Sequence, residues 1–168
     1  MTQLRREQIS AASAFAEAAL QRLNTVSGMT METTVLASAR MAGTFLFRSY
    51  AHALSAISPG TVLMSQVANE NGPNLVGLLS NALGRLGLSI DADHIDLKTS
   101  NAATPLLDFL ESQRLLGPVL QPIRESFGLS QQEAAYAMAV ATAILIKHGE
   151  KKLAAQAAFG LAVFGFIE

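Results

Sequence analysis

Residues 129–168, LSQQEAAYAMAVATAILIKHGEKKLAAQAAFGLAVFGFIE, decide the fold. Ala134 to Ile146 and Leu153 to Ile167 are two alanine-rich runs without a formal charge, joined by the short cationic turn Lys147-His148-Gly149-Glu150-Lys151-Lys152. A helix apolar on every side has to be buried in a protein core, a subunit interface or lipid. Lipid is the weakest of the three. A span needs about 20 apolar residues, and the second run is shorter, contains Gln156 and ends at Glu168. Only Tyr50 and Tyr136 are available for an interfacial aromatic belt, and tryptophan is absent. Ser130 and Glu133 form the Ser-x-x-Glu pattern of a capping box in front of the first run, which predicts a helix from Gln131.

Working outward from that hairpin, turn residues divide the remainder of the chain into further helices. A first helix is predicted from about Gln3 to Val26, with Ile9, Ala12, Ala16, Ala19, Leu20 and Leu23 recurring at helical spacing. Thr30 is a predicted N-cap, with Glu32 placed to complement the dipole of a second helix that runs to about Ile57. Ser58-Pro59-Gly60 stops it. A third helix is expected to end near Asn69 to Gly72, where Pro73 opens a fourth that closes at Gly84 and Gly87. Leu88 to Ala103 is the one long polar connection, readable as a surface loop or as a short irregular helix. Thr104-Pro105 starts another helix, Gly117-Pro118 breaks it and opens the next, and Gly128 ends that one. The expectation is an all-α, single-domain bundle over residues 1–168, with about seven or eight helices and an apolar alanine-rich C-terminal helical hairpin. The three longest helices should begin near Gln3, Met31 and Gln131.

Composition narrows the function. Charged residues make up 15% of the chain and hydrophobic residues 50%, against a usual charged share of about 25%. So little charge leaves few polar groups to clothe a monomer and favours self-association. The net charge of -1 offers no basic field for a nucleic acid. With no cysteine there are no disulfides, thiol nucleophiles or cysteine-held metals. The polar N-terminus lacks the apolar core of a signal peptide, so a cytoplasmic location is expected.

The sharpest candidate site is Arg40, Thr44, Arg48 and His52, each four residues after the last. At 100° per residue they form one drifting stripe on the second helix, opposite a core face of Val35, Leu36, Ala39, Ala42, Gly43, Leu46 and Leu54. Two guanidinium groups, a hydroxyl and an imidazole suit a phosphate or carboxylate. The plainer alternative is a solvated or salt-bridged helix face. Asp91, Asp93, His94 and Asp96 fail the calcium-loop pattern and pair with no second histidine, so no metal and no cofactor are expected. Elbow, P-loop and dinucleotide motifs are all missing, and the chain reads as non-catalytic.

On the last helix, Ala154, Ala158 and Ala162 lie four apart, with Gly165 behind them and Phe159 and Phe166 on neighbouring faces. Such small residues permit close helix approach, so these six residues are the expected interface of a homo-oligomer, most simply a dimer. Three functions stay open. The first is a self-associating, non-catalytic protein acting through protein interaction or an apolar ligand pocket. The second is a small enzyme or binding protein for an anionic ligand at the arginine stripe. The third is a peripheral membrane protein.

Overall fold

The structure, a computed structural model, describes residues 4–26, 29–49, 66–91 and 109–167, and these residues are helical with no strand among them. Six helices are described: α1 (Arg6–Leu23), α2 (Met31–Ser49), α3 (Gln66–Arg85), α4 (Phe109–Ser126), α5 (Gln131–His148) and α6 (Ala155–Ile167). The all-α expectation holds. Against the expected seven or eight, six helices lie among the described residues, and two of the expected breaks, at Pro73 and at Gly117-Pro118, are not breaks.

Pro73 lies inside α3, and Pro118 and Pro122 lie inside α4. A proline within a helix removes one backbone bond and costs about 3 kcal/mol. In α4 the cost falls on the outer face. Pro118 and Pro122 are exposed, and the carbonyls they leave without a helical donor belong to exposed Arg114 and Pro118. The opposite face buries Ser112, Leu116 and Leu120, four residues apart, and keeps the helix docked. In α3 the same holding face is Leu75, Leu79 and Leu83. As a result α3, at 20 residues, is longer than α1, α2 or α5.

The expected glycine stops at 87 and 128 are real. At Gly87 φ is 85°, the Leu88 N–H donates to the Leu83 carbonyl and that of Gly87 to Gly84; Gly128, with φ 65°, is flanked by the same pair of bonds from Leu129 to Arg124 and from Gly128 to Glu125. Both are Schellman endings, which require left-handed backbone where a Cβ would be strained. The caps at Thr30 and Ser130 also form. The Thr33 N–H donates to Thr30 Oγ1 at 3.2 Å, and the Glu133 N–H to Ser130 Oγ at 3.1 Å. The expected continuation of the second helix to Ile57, the stop at Ser58-Pro59-Gly60 and the start at Thr104-Pro105 lie outside the described residues.

α2 and α5 form the centre. α2 packs against each of the other five described helices, and α5 against α1, α2, α3 and α6. In α5 every residue from Ala134 to Ala143 is buried except half-buried Val140. Of the homes open to a helix apolar all round, this one occupies the core of its own chain. One cluster of buried side chains draws on all six helices, with Phe15 of α1 stacked on Phe45 of α2 at a centroid distance of 5.9 Å. On α1 the expected apolar face is mostly the buried one, with Ala12, Ala16, Ala19 and Leu23 in the core and Leu20 packed against it; Ile9 is the exception. Ile9 is 54% exposed, and the buried face is Gln8, Ala11, Ala12, Phe15, Ala16, Ala19 and Leu23.

α6 packs mainly on α2. A Cβ added to Gly165 would stand 2.7 Å from the Ala39 Cβ, and one added to Gly43 would stand 2.7 Å from the Phe166 carbonyl oxygen. The two backbones are as close as glycine allows, which explains the small residues on both helices. Among the described residues no helix is long and apolar enough to cross a membrane.

Candidate functional site: the polar face of α2

Residues Thr33 to Ala42 of α2 are all buried, Arg40 included, at 5% exposure. Expectation placed Arg40 opposite the core. A helix covered by five neighbours has no such opposite side over its first three turns. The guanidinium lies in the α2–α4 seam, where Nη1 donates to Ser112 Oγ at 3.2 Å, and Ser112 is wholly buried. One turn on, Thr44 Oγ1 donates to the Arg40 carbonyl at 2.9 Å and accepts from Gln113 Nε2 at 2.6 Å. Arg40 and Thr44 therefore join one polar cluster with Ser112 and Gln113.

Arg48 is exposed. It stands eight residues beyond Arg40, about 12 Å along the helix axis. The two arginines thus differ in environment, one inside the bundle and one in solvent. His52 lies outside the described residues. In chemical terms the described half of the stripe is a buried guanidinium bonded to the Ser112 hydroxyl beside a Thr44–Gln113 hydrogen bond, an arrangement that ties α2 to α4.

Ser112 and Gln113 were not singled out from the sequence. The signal for Ser112 was present: Ser112, Leu116 and Leu120 lie four apart and form the buried stripe of α4, so a hydroxyl is carried into the core. A buried hydroxyl calls for a donor or acceptor across the seam.

A second polar cluster ties the start of α1 to the start of α5. Arg5 Nη2 lies 2.6 Å from Glu133 Oε2, Gln8 Nε2 donates to the Glu133 carbonyl at 3.1 Å, and Gln8 Oε1 accepts from the Arg5 N–H at 2.8 Å. The Glu133 carboxyl is held below its usual value. The Ser130 backbone N–H is the largest cause; the Ser130 hydroxyl and Arg5 act in the same sense against a smaller effect of burial. The cluster is a cap that also fixes the angle between two helices.

The other expected sites are placed as follows. Asp91 is exposed, and its backbone is clasped by Gln156 of α6: the Asp91 N–H donates to Gln156 Oε1 at 2.9 Å, and Gln156 Nε2 donates to the Asp91 carbonyl at 3.1 Å. Asp93, His94 and Asp96 lie outside the described residues. Among the described residues no three His, Asp or Glu side chains come together as a metal site. In the cationic turn Lys147 pairs with Glu150 at 3.0 Å, while His148, Lys151 and Lys152 are exposed.

Of the six residues expected at an oligomer interface, Ala158, Phe159, Ala162, Gly165 and Phe166 are buried within the chain itself, and Ala154 is exposed. The half-open side of α6 holds Gln156, Ala157, Val163 and Phe164, which at 100° per residue share an arc of about 120°.

Comparison with protein-family models, with curated proteins and with solved structures finds no match to this chain.

Proposed function

We propose that this chain is a non-catalytic, cytoplasmic helical protein that works by self-association, most simply as a dimer. The observation that carries the reading is the arc Ala157, Val163 and Phe164 on α6, left half-open on an apolar helix whose residues from Ala158 to Ala162 are all buried. The arc takes over the role that sequence spacing gave to Ala158, Ala162 and Gly165, whose surface α2 already covers. A charged share of only 15% leaves little to screen it, and a second copy offers the same surface about a two-fold axis. Native mass spectrometry at low micromolar concentration tests this. The reading expects a dimer that Phe164→Glu converts to a folded monomer. A wild-type monomer at tens of micromolar would overturn it.

A second reading is favoured by one observation, the burial of Arg40 in the α2–α4 seam, where its guanidinium donates to the Ser112 hydroxyl. In it the α2–α4 seam holds a small phosphate or carboxylate. Calorimetric titration with inorganic phosphate and with acetate, on wild type and Arg40→Met, tests it. Heat of binding lost in the variant supports it, and no heat in wild type sinks it.

A further inference from the structure

The turn between α5 and α6 rests on one glycine and one methionine. Gly149 caps α5, is buried, and carries the turn: its carbonyl accepts from the N–H groups of Lys152 at 2.9 Å and Leu153 at 3.0 Å. The side chain of Met31, the first residue of α2, lies over it. A Cβ added to Gly149 would stand 2.5 Å from Met31 Cγ and Cε and 2.7 Å from Sδ. There is no spare room between thioether and backbone. The chain has no cysteine and six methionines, so all of its sulfur redox chemistry is thioether chemistry. Among the described residues, Met41 and Met138 are wholly buried, whereas Met29 and Met31 are half-buried.

We propose that Met31 is a site of reversible oxidation by peroxides, and that its oxidation uncouples the first turn of α2 from the Gly149 cap. The sulfur attacks one peroxide oxygen and the O–O bond breaks. Sulfur loses two electrons and gains that oxygen as sulfoxide, and the peroxide leaves as water. The product is larger, polar and chiral. It no longer fits against Gly149, and the unbranched side chain swings into solvent. The Lys152 and Leu153 bonds to the Gly149 carbonyl then lose their cover. Met29 packs beside the core, and in this proposal its oxidation leaves the turn intact.

The test treats the full chain with dilute hydrogen peroxide. It maps sulfoxide by peptide mass and follows hydrogen exchange of the peptide holding Lys152 and Leu153. The expected result is sulfoxide at Met31 while Met41 and Met138 stay reduced, with several-fold faster exchange in that peptide, reversed by a methionine sulfoxide reductase. Met31→Leu should keep the peptide protected under peroxide, and Met29→Leu should behave as wild type. The proposal is overturned if Met31 oxidises no faster than Met41. It is equally overturned if oxidised protein exchanges as the reduced protein does, or if Met31→Leu loses protection to the same degree.

Discussion

Replacing Gly43 by alanine should destabilise the protein, although the same change in an unobstructed helix stabilises. Alanine is favoured over glycine in a helix interior by about 1 kcal/mol. Gly77 in α3 has nothing within 4 Å of an added Cβ, so Gly77→Ala should gain roughly 0.5–1 kcal/mol. At Gly43 the added methyl meets the Phe166 carbonyl oxygen at 2.7 Å and its carbon at 3.3 Å. These are backbone atoms of α6, so relief requires moving a whole helix. Overpacking of this kind costs about 1–3 kcal/mol. The net expectation for Gly43→Ala is a loss of about 1 kcal/mol, which sets the two variants about 2 kcal/mol apart. In a chain this long, 1 kcal/mol moves Tm by about 2–4 °C. Urea unfolding followed by circular dichroism, with an unchanged m value, is the assay. Gly165→Ala should behave like Gly43→Ala, since its Cβ meets Ala39 and Leu36. The double variant should cost less than the sum, because both force apart the same pair of helices. If Gly43→Ala stabilises as Gly77→Ala does, α2 and α6 do not approach as described.

Three further outcomes follow from the same geometry. Ala158→Glu should unfold the protein rather than split an oligomer, because Ala158 is 1% exposed within the chain and an unpaired buried charge costs about 3–5 kcal/mol; a folded monomer in size-exclusion chromatography would contradict this. Arg40→Ala should lose about 2–4 kcal/mol through lost packing and the lost bond to Ser112 Oγ, read by urea unfolding; a variant as stable as wild type would contradict the buried placement of Arg40. Because the Glu133 pKa is lowered on folding, its stabilisation is present above the ordinary value of 4.5 and is lost as pH falls through the folded value. Ser130→Ala should cost about 1 kcal/mol near neutrality, and Glu133→Gln, which removes the titrating group, should flatten the acid limb of the stability-against-pH curve; an acid limb identical to wild type in Glu133→Gln would refute the capping account.

Much of the fold was legible because it rests on local signals. Ser130 with Glu133, Thr30, Gly87 and Gly128 act within one helical turn, and each does what its spacing implies. Proline misled because its effect is not local. Pro73 and Pro118 lower helix propensity, but apolar stripes on the far faces, Leu75-Leu79-Leu83 and Leu116-Leu120, hold the helices through them. In α1 the period located Ala12, Ala16, Ala19 and Leu23 in the core, but not the edge of the stripe: Ile9 is exposed and Phe15 is buried beside them. For the arginine stripe, spacing set Arg40 and Thr44 one turn apart on α2. It carried no information on depth, which depends on how many helices surround α2. The small residues of the last helix did announce close approach, but a sequence pattern does not distinguish an approach within the chain from one between chains.

Hydrogen exchange of residues 131–148 at two protein concentrations tests the central claim most directly, namely that the apolar helix α5 is the core of its own chain. The account predicts that the amides of Ala134 to Ile146 are the slowest in the protein, near the limit set by global unfolding, and that their protection is the same at one and at fifty times that concentration. Exchange in α5 as fast as on the exposed side of α1, or protection that appears only on concentration, would contradict it.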